Sequence, residues 1–170
     1  MTIMRTFPSL LLASAMLMTF SACAQPSQDT SPAATSTENA VAAYVPTAGV
    51  VNEINQNDFA QVVAEWNGTR EWKFKGSRPA VIDFNATWCG PCRQLAPILK
   101  ELAADYAGQV DFYSVDVDDN RGLASAFGVR SIPMLLICPV DGQPQAIVGL
   151  HPKTDIQQAI TEVTGGQVSE

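Results

Sequence analysis

The chain has 170 residues, which is enough for one domain with some additional sequence, and 46% of its residues are hydrophobic. The formal net charge is −7, and the 10 Lys and Arg residues form no basic cluster. Nucleic-acid binding therefore has no electrostatic support, and we expect no nucleic-acid partner.

Residues 1–23 have the features of a signal peptide. A basic residue precedes an apolar segment at 10–20, which is too short to span a bilayer comfortably. Two processing routes are open. The triplet Ala22-Cys23-Ala24 fits an ordinary signal peptidase, whereas residues 20–23 resemble a bacterial lipobox in which Cys23 is lipidated. We favour the lipoprotein route, with Cys23 as a lipid anchor, and we expect export to the periplasm under both routes.

Residues 24–47 are rich in Ala, Ser, Thr, Pro and Gln and contain few large apolar side chains. Such a composition does not bury a core, so we interpret this segment as a flexible tether. It is either a spacer that holds the following domain away from a membrane or a stretch without a function of its own. The globular domain is expected over residues 48–170.

The domain is expected to begin with a short strand and a helix. Residues 50–54 have the composition of a strand, and Asn57 is a candidate N-cap for the helix that follows. The apolar residues of this helix recur with a period of 3.6 up to Trp66. Residues 80–86 are mostly apolar and predict a core strand, which ends directly before a pair of cysteines.

This pair lies in the motif Trp88-Cys89-Gly90-Pro91-Cys92, which opens the next predicted helix. Two cysteines with this spacing at a helix start can open and close a disulfide with little backbone movement. The unpaired N–H groups and the positive end of the helix dipole stabilise a thiolate there. Gly90 permits a tight turn, and Pro91 fits the first helical turn, where its missing N–H has no cost. The context predicts redox chemistry.

Zinc binding is the main alternative for cysteines with this spacing. A structural zinc site needs four ligands, and the other Cys and His residues of the chain are Cys23, Cys138 and His151. We therefore expect no metal. A purely structural disulfide is also disfavoured, because so short a loop contributes little stability.

The remaining elements complete an α/β pattern. They are predicted, in chain order, as a helix at 92–107, a strand at 109–115, a short helix at 121–127, strands at 132–138 and 145–148, and an amphipathic helix from a cap at Thr154 or Asp155 to Val163. The acidic residues 116–119 are interpreted as a solvated loop, and Asp141-Gly142 as a hairpin turn. Together these elements predict a central mixed β-sheet with helices on both faces.

This pattern resembles the thioredoxin family over about residues 50–164. The resemblance is carried by the motif at 88–92, by Asp83 six residues before the first cysteine, and by Ile132-Pro133 further along the chain. It implies a thioredoxin-like fold and a thiol–disulfide oxidoreductase whose redox-active group is a disulfide between Cys89 and Cys92, with no other cofactor. The signal peptide and tether are similar to those of exported bacterial members.

The resemblance also implies the roles of individual residues. Cys89 would be the more exposed attacking thiolate, and Cys92 the buried resolving thiol. Asp83 would lie beneath the pair, with its pKa raised by burial, and act as the base for Cys92. A cis bond is expected before Pro133, where the backbone of Ile132 would pair with an extended substrate segment.

Trp88 is expected to pack beside the disulfide. Two other positions depart from common members of the family, because Asn85 stands where many carry Trp and Ser114 stands where many carry a Lys near the buried Asp. Loss of that cation should raise the pKa of Asp83 further or change how its proton leaves.

The residues between the cysteines bear on the direction of electron flow. Gly90-Pro91 is the pair seen in reducing members, whereas oxidising members usually carry His there. We therefore predict a protein-disulfide reductase that acts on disulfide-bearing exported proteins. No nucleotide-binding Gly-rich motif is present, so electrons are expected from a membrane thiol donor. The alternatives are a disulfide oxidase or isomerase of the same compartment, and a non-enzymatic module that binds peptides at Ile132-Pro133.

Overall fold

The computed structural model describes residues 44–66, 71–166 and 168. The predicted signal peptide, with Cys23, and residues 24–43 of the predicted tether lie outside the described residues. Within the described part of the chain, no helix is long and apolar enough to cross a membrane.

Five strands form one sheet in the described ranges. In chain order they are β1 (Val51–Glu53), β2 (Ala80–Asn85), β3 (Asp111–Asp116), β4 (Met134–Cys138) and β5 (Gln145–Val148). Their order across the sheet is β1-β3-β2-β4-β5. Strands β1, β3 and β2 run parallel, whereas β4 is antiparallel to β2 and to β5. Strand β2 is therefore central, and its first five residues are buried.

Helices cover both faces of this sheet. Those described are α1 (Gln56–Val62), α2 (Gly90–Asp105), α3 (Arg121–Ala126) and α4 (Lys153–Val163). On one face, α1 and α3 contribute Phe59 and Leu123 to a buried core. On the other face, α2 and α4 contribute Leu99 and Ile156 to a second core. This arrangement confirms the predicted fold class, a mixed sheet between helices.

The start of α1 differs from the prediction. Its N-cap is Asn55, whose side-chain oxygen accepts hydrogen bonds from the backbone N–H groups of Asn57 at 2.7 Å and Asp58 at 3.1 Å. The Asp58 carboxylate in turn accepts the N–H of Asn55 at 3.1 Å, which completes a capping box. The prediction of Asn57 as the cap was therefore wrong, and the helix ends at Val62, earlier than predicted.

Several other boundaries also differ from the predicted ones by a few residues. Helix α2 begins at Gly90, before the predicted start, and continues through Pro97. The N-cap of α4 is Pro152, so the predicted cap at Thr154 or Asp155 was wrong. Strand β4 begins after Pro133, whose missing N–H removes it as a donor in the strand ladder.

Residues that precede residue 48 also contact the folded domain. Tyr44 packs against the core on the α1 side. The backbone N–H of Thr47 donates to the side-chain oxygen of Asn52 at 2.9 Å, and the Asn52 amide donates to the Thr47 carbonyl at 3.0 Å. Tyr44 and Thr47, which the sequence analysis assigns to the tether, therefore contact the domain.

Candidate active site

The two cysteines of the motif lie at the start of α2 and form a disulfide. Cys89 is the N-cap of α2, and its Sγ accepts a hydrogen bond from the backbone N–H of Cys92 at 3.2 Å. Gly90 and Pro91 occupy the first two helical positions. Because a helix start presents unpaired N–H groups and the positive end of its dipole, this position favours a negatively charged sulfur on Cys89 once the disulfide is reduced.

Burial does not separate the two cysteines in the oxidised protein. The exposed fraction is 4% for Cys89 and 5% for Cys92, so the greater exposure expected for Cys89 is not present in this state. Both residues belong to a small buried cluster with Ala86, against which Val117 and Ile132 pack. The difference between the cysteines lies in the helix-cap hydrogen bond, which reaches the sulfur of Cys89.

The loop before the disulfide carries an exposed aromatic side chain. Trp88 is 66% exposed, and its indole Nε1 donates a hydrogen bond to Oδ2 of Asp118 at 2.7 Å. Arg93 donates from Nη1 to the carbonyl of Thr87 at 3.1 Å, which ties this loop to the first turn of α2. The sequence did not indicate the role of Asp118, because 30 residues separate it from Trp88 and no local pattern links them.

Ile132 lies beside the disulfide, and Pro133 follows it in the chain. Ile132 packs against the cluster that contains both cysteines, and the peptide bond between Ile132 and Pro133 is cis. The Pro133 carbonyl accepts a hydrogen bond from the backbone N–H of Gly149 at 2.8 Å. The loop before β4 is thus fixed to the residue that follows β5.

Asp83 lies on the central strand and faces α2. It is 5% exposed, and it lines an open cavity of about 290 Å³ that is also lined by Cys92 and Leu99. Burial raises the pKa of Asp83 to about 7, against a smaller lowering effect of a hydrogen bond from Asn85. A carboxyl group with this pKa can take up or release a proton near neutral pH.

The two positions that depart from common members of the family both contact this site. The Asn85 amide donates to Oδ2 of Asp83 at 3.2 Å and to Oγ of Ser114 at 2.8 Å. Ser114 is the register partner of Asp83 across the parallel strands β2 and β3. The resemblance to the family marked both positions as unusual, but it gave no indication that Asn85 is hydrogen-bonded to both Ser114 and Asp83.

Two further observations concern metal-ligating side chains and the remaining described cysteine, Cys138. Among them, no group of three or more His, Cys, Asp or Glu side chains could hold a metal ion. Cys138 is fully buried in β4, and burial raises the pKa of its thiol well above the usual range. A buried thiol of this kind is a poor nucleophile, because the thiolate is the reactive form.

Comparison with known proteins agrees with this geometry. A family model described as thioredoxin matches residues 50–162. Thioredoxin of Borreliella burgdorferi is 41% identical over 112 residues, which cover 66% of this chain and 96% of that relative. Thioredoxin of Staphylococcus aureus is 47% identical over 81 residues, which cover 47% of this chain and 77% of that relative.

Solved structures are similar over the same part of the chain. A thioredoxin of Malassezia sympodialis (Mala s 13) has 34% identity and a TM-score of 0.55, and the match covers 71% of this chain and 96% of that one. A chloroplastic thioredoxin z has 27% identity and a TM-score of 0.58, and the match covers 69% of this chain and 96% of that one.

Proposed function

Because the chain belongs to the thioredoxin family and is a disulfide oxidoreductase, we propose that it reduces disulfides of exported proteins through Cys89 and Cys92. The observation that carries the role of Cys89 as the attacking thiol is its position as the N-cap of α2. In the reduced protein, the Cys92 N–H and the helix dipole stabilise a thiolate on Cys89, which is the form that attacks a disulfide.

The reaction proceeds in two exchange steps. The Cys89 thiolate attacks one sulfur of a substrate disulfide, forms a mixed disulfide and releases the other substrate sulfur as a thiolate. Asp83 then takes the proton of Cys92, and the Cys92 thiolate attacks Cys89. This step releases the second substrate thiolate and closes the Cys89–Cys92 disulfide. Two electrons pass from the enzyme dithiol to the substrate, and no cofactor takes part.

The surface around the disulfide supports binding of an extended substrate segment. Ile132 packs against the cysteines, and Trp88 is exposed at the motif itself. Ile132 would pair through its backbone with a substrate strand. The apolar surface of Trp88 would contact substrate residues next to the disulfide.

The proposed direction of electron flow and the proposed compartment rest on features of the sequence. Gly90-Pro91 between the cysteines favours a reductant, since no His stabilises the thiolate there. Residues 1–23 favour export, and a lipid on Cys23 would hold the domain at a membrane surface through the tether. A membrane thiol donor would then return the enzyme to its dithiol form.

Trapping of the mixed disulfide tests the proposed roles of the cysteines. The reduced Cys92→Ser variant, incubated with insulin, should accumulate a covalent adduct that is visible on a non-reducing gel. Cys89 attacks the insulin disulfide in this variant, but no second thiol is present to displace the substrate from Cys89. Cys89→Ser should form little adduct, and wild type should reduce insulin without accumulating one. Adducts that form through Cys92 in Cys89→Ser, together with their absence in Cys92→Ser, would reverse the assignment.

A further inference from the structure

Three polar side chains form a connected group beneath the active site. Asn85 lies two residues after Asp83 on β2, so both side chains project from the same side of the sheet. Ser114 is the register partner of Asp83 on β3. All three line the cavity that also contacts Cys92.

Asn85 connects the other two members. Its amide nitrogen lies 3.2 Å from Oδ2 of Asp83, 3.2 Å from the backbone carbonyl of Asp83 and 2.8 Å from Oγ of Ser114. An amide NH₂ group only donates, so its hydrogen bond favours the ionised carboxylate and opposes the effect of burial. Ser114 accepts the shortest of the three contacts, and it therefore orients the amide.

As a result, the two carboxylate oxygens of Asp83 differ in their hydrogen bonding. Oδ2 is held by Asn85, whereas Oδ1 is buried and has no hydrogen-bond partner among the described residues. A buried oxygen without a partner is costly and is the atom at which a proton is most readily taken up. The cavity wall next to Asp83 includes Cys92, the thiol that must lose a proton when the mixed disulfide is resolved.

We propose that Asn85, oriented by Ser114, is a positioning residue that holds Oδ2 of Asp83 and leaves Oδ1 free to exchange a proton with Cys92. This inference rests on the proposed function. In the resolving step, the Cys92 thiol gives its proton to Asp83, and the resulting thiolate displaces the substrate sulfur from Cys89. Asp83 then releases the proton through the cavity, so no additional oxidant or reductant is needed.

Other charged and titratable groups surround Asp83, and substitution of the neutral Asn85 changes none of them. Those that line the same cavity are Glu53, Cys92, Arg93 and Lys100. Strand β4 places the apolar Leu135 opposite Asp83. A change in the titration of Asp83 on removal of the Asn85 amide therefore reports the lost hydrogen bond.

Two titrations of full-length protein that retains Cys92 test the proposal. Carbon-13 NMR of the Asp83 carboxyl gives its midpoint in wild type, Asn85→Ala and Ser114→Ala. The rate of resolution of a preformed mixed disulfide is measured over the same pH range. Val51→Ala is the matched control, because Val51 lines the same cavity with an apolar side chain.

Asn85→Ala should raise the titration midpoint of the Asp83 carboxyl by at least about half a pH unit. At pH values below the midpoint, this shift makes the ionised fraction of Asp83 about threefold smaller. Ser114→Ala should give a smaller change of the same sign, and Val51→Ala no increase. The pH profile of the resolving rate should move with the midpoint. An unchanged or lowered midpoint in Asn85→Ala and Ser114→Ala would overturn the proposal, as would an equal rise in Val51→Ala.

The two readouts also separate this inference from the proposed function. If the midpoint rises in Asn85→Ala while Asp83→Asn resolves the mixed disulfide at the wild-type rate, Asn85 holds Asp83 but Asp83 is not the base. That result overturns the proton exchange with Cys92 and leaves disulfide reduction intact. A uniform loss of rate with an unchanged midpoint assigns Asn85 a merely structural role and overturns the proposal.

Discussion

Replacing Asp83 by Asn should stabilise the protein at alkaline pH and have little effect at acid pH. The pKa of Asp83 is about 7 in the folded protein and 3.8 for an ordinary aspartate. The folded state therefore keeps its proton over a pH range in which the unfolded chain has lost it. The stability associated with the protonated carboxyl is fully present below pH 3.8 and is lost as the pH rises to about 7.

The size of this effect follows from the two pKa values. At about 1.4 kcal/mol per pH unit, the difference corresponds to about 4 kcal/mol of unfolding free energy in wild type. Asn at this position carries no charge, and its side-chain oxygen can still accept the hydrogen bond from Asn85. The unfolding free energy of Asp83→Asn should therefore be about 4 kcal/mol higher than that of wild type at pH 8. At pH 4 the difference should be less than about 1 kcal/mol.

Urea denaturation of both oxidised proteins at pH 4 and pH 8 measures this difference. The comparison between variants at each pH removes the contributions of all other titrating groups. Asp119→Asn, which removes an exposed carboxylate on the loop after β3, should follow wild type at both pH values. An equal gain for Asp83→Asn at the two pH values, or no gain at pH 8, would refute the claim that burial of the Asp83 charge is costly.

Two further predictions concern the other cysteines. Cys138→Ala should leave insulin reduction within about twofold of wild type, because the thiol is buried in β4, and should lower the unfolding free energy by about 1–3 kcal/mol through the lost packing. A large loss of activity without a change in stability would contradict this role. Mass spectrometry of the protein from its native host should show removal of at least the first 22 residues, with a diacylglyceryl group on Cys23. A mature terminus at Gln25 would support simple secretion, and an intact Met1 would contradict export.

Much of the fold was accessible from the sequence because its core strands are long apolar runs. Residues 80–85 and 134–138 are buried almost throughout, and such runs are distinctive even without an alternating pattern. The cap of α1 was less accessible, because Asn55 and Asn57 both precede the apolar positions of the helix. The choice between them depends on whether Asp58 lies three residues after the cap, where its side chain can close the capping box.

The connections within the site were less predictable than its members. The cysteines could be identified from their spacing and Asp83 through the resemblance to the thioredoxin family, but the contact between Asn85 and Ser114 depends on the register of β2 against β3. Parallel register is fixed by tertiary packing between segments that are distant in sequence. The same reason explains why the hydrogen bond from Trp88 to Asp118 was not predicted.

The reduction potential of the Cys89–Cys92 pair is the most direct test of the proposal that this enzyme is a reductant. The full-length protein would be equilibrated with glutathione buffers of known potential. The fraction of protein with a reduced Cys89–Cys92 pair would be measured by alkylation and mass spectrometry. Strong disulfide oxidants have potentials of about −120 mV, and disulfide isomerases have potentials of about −180 mV. The pair should be half reduced only in buffers more reducing than both values. A midpoint at or above about −180 mV would contradict the assignment as a reductant and favour an oxidase or isomerase.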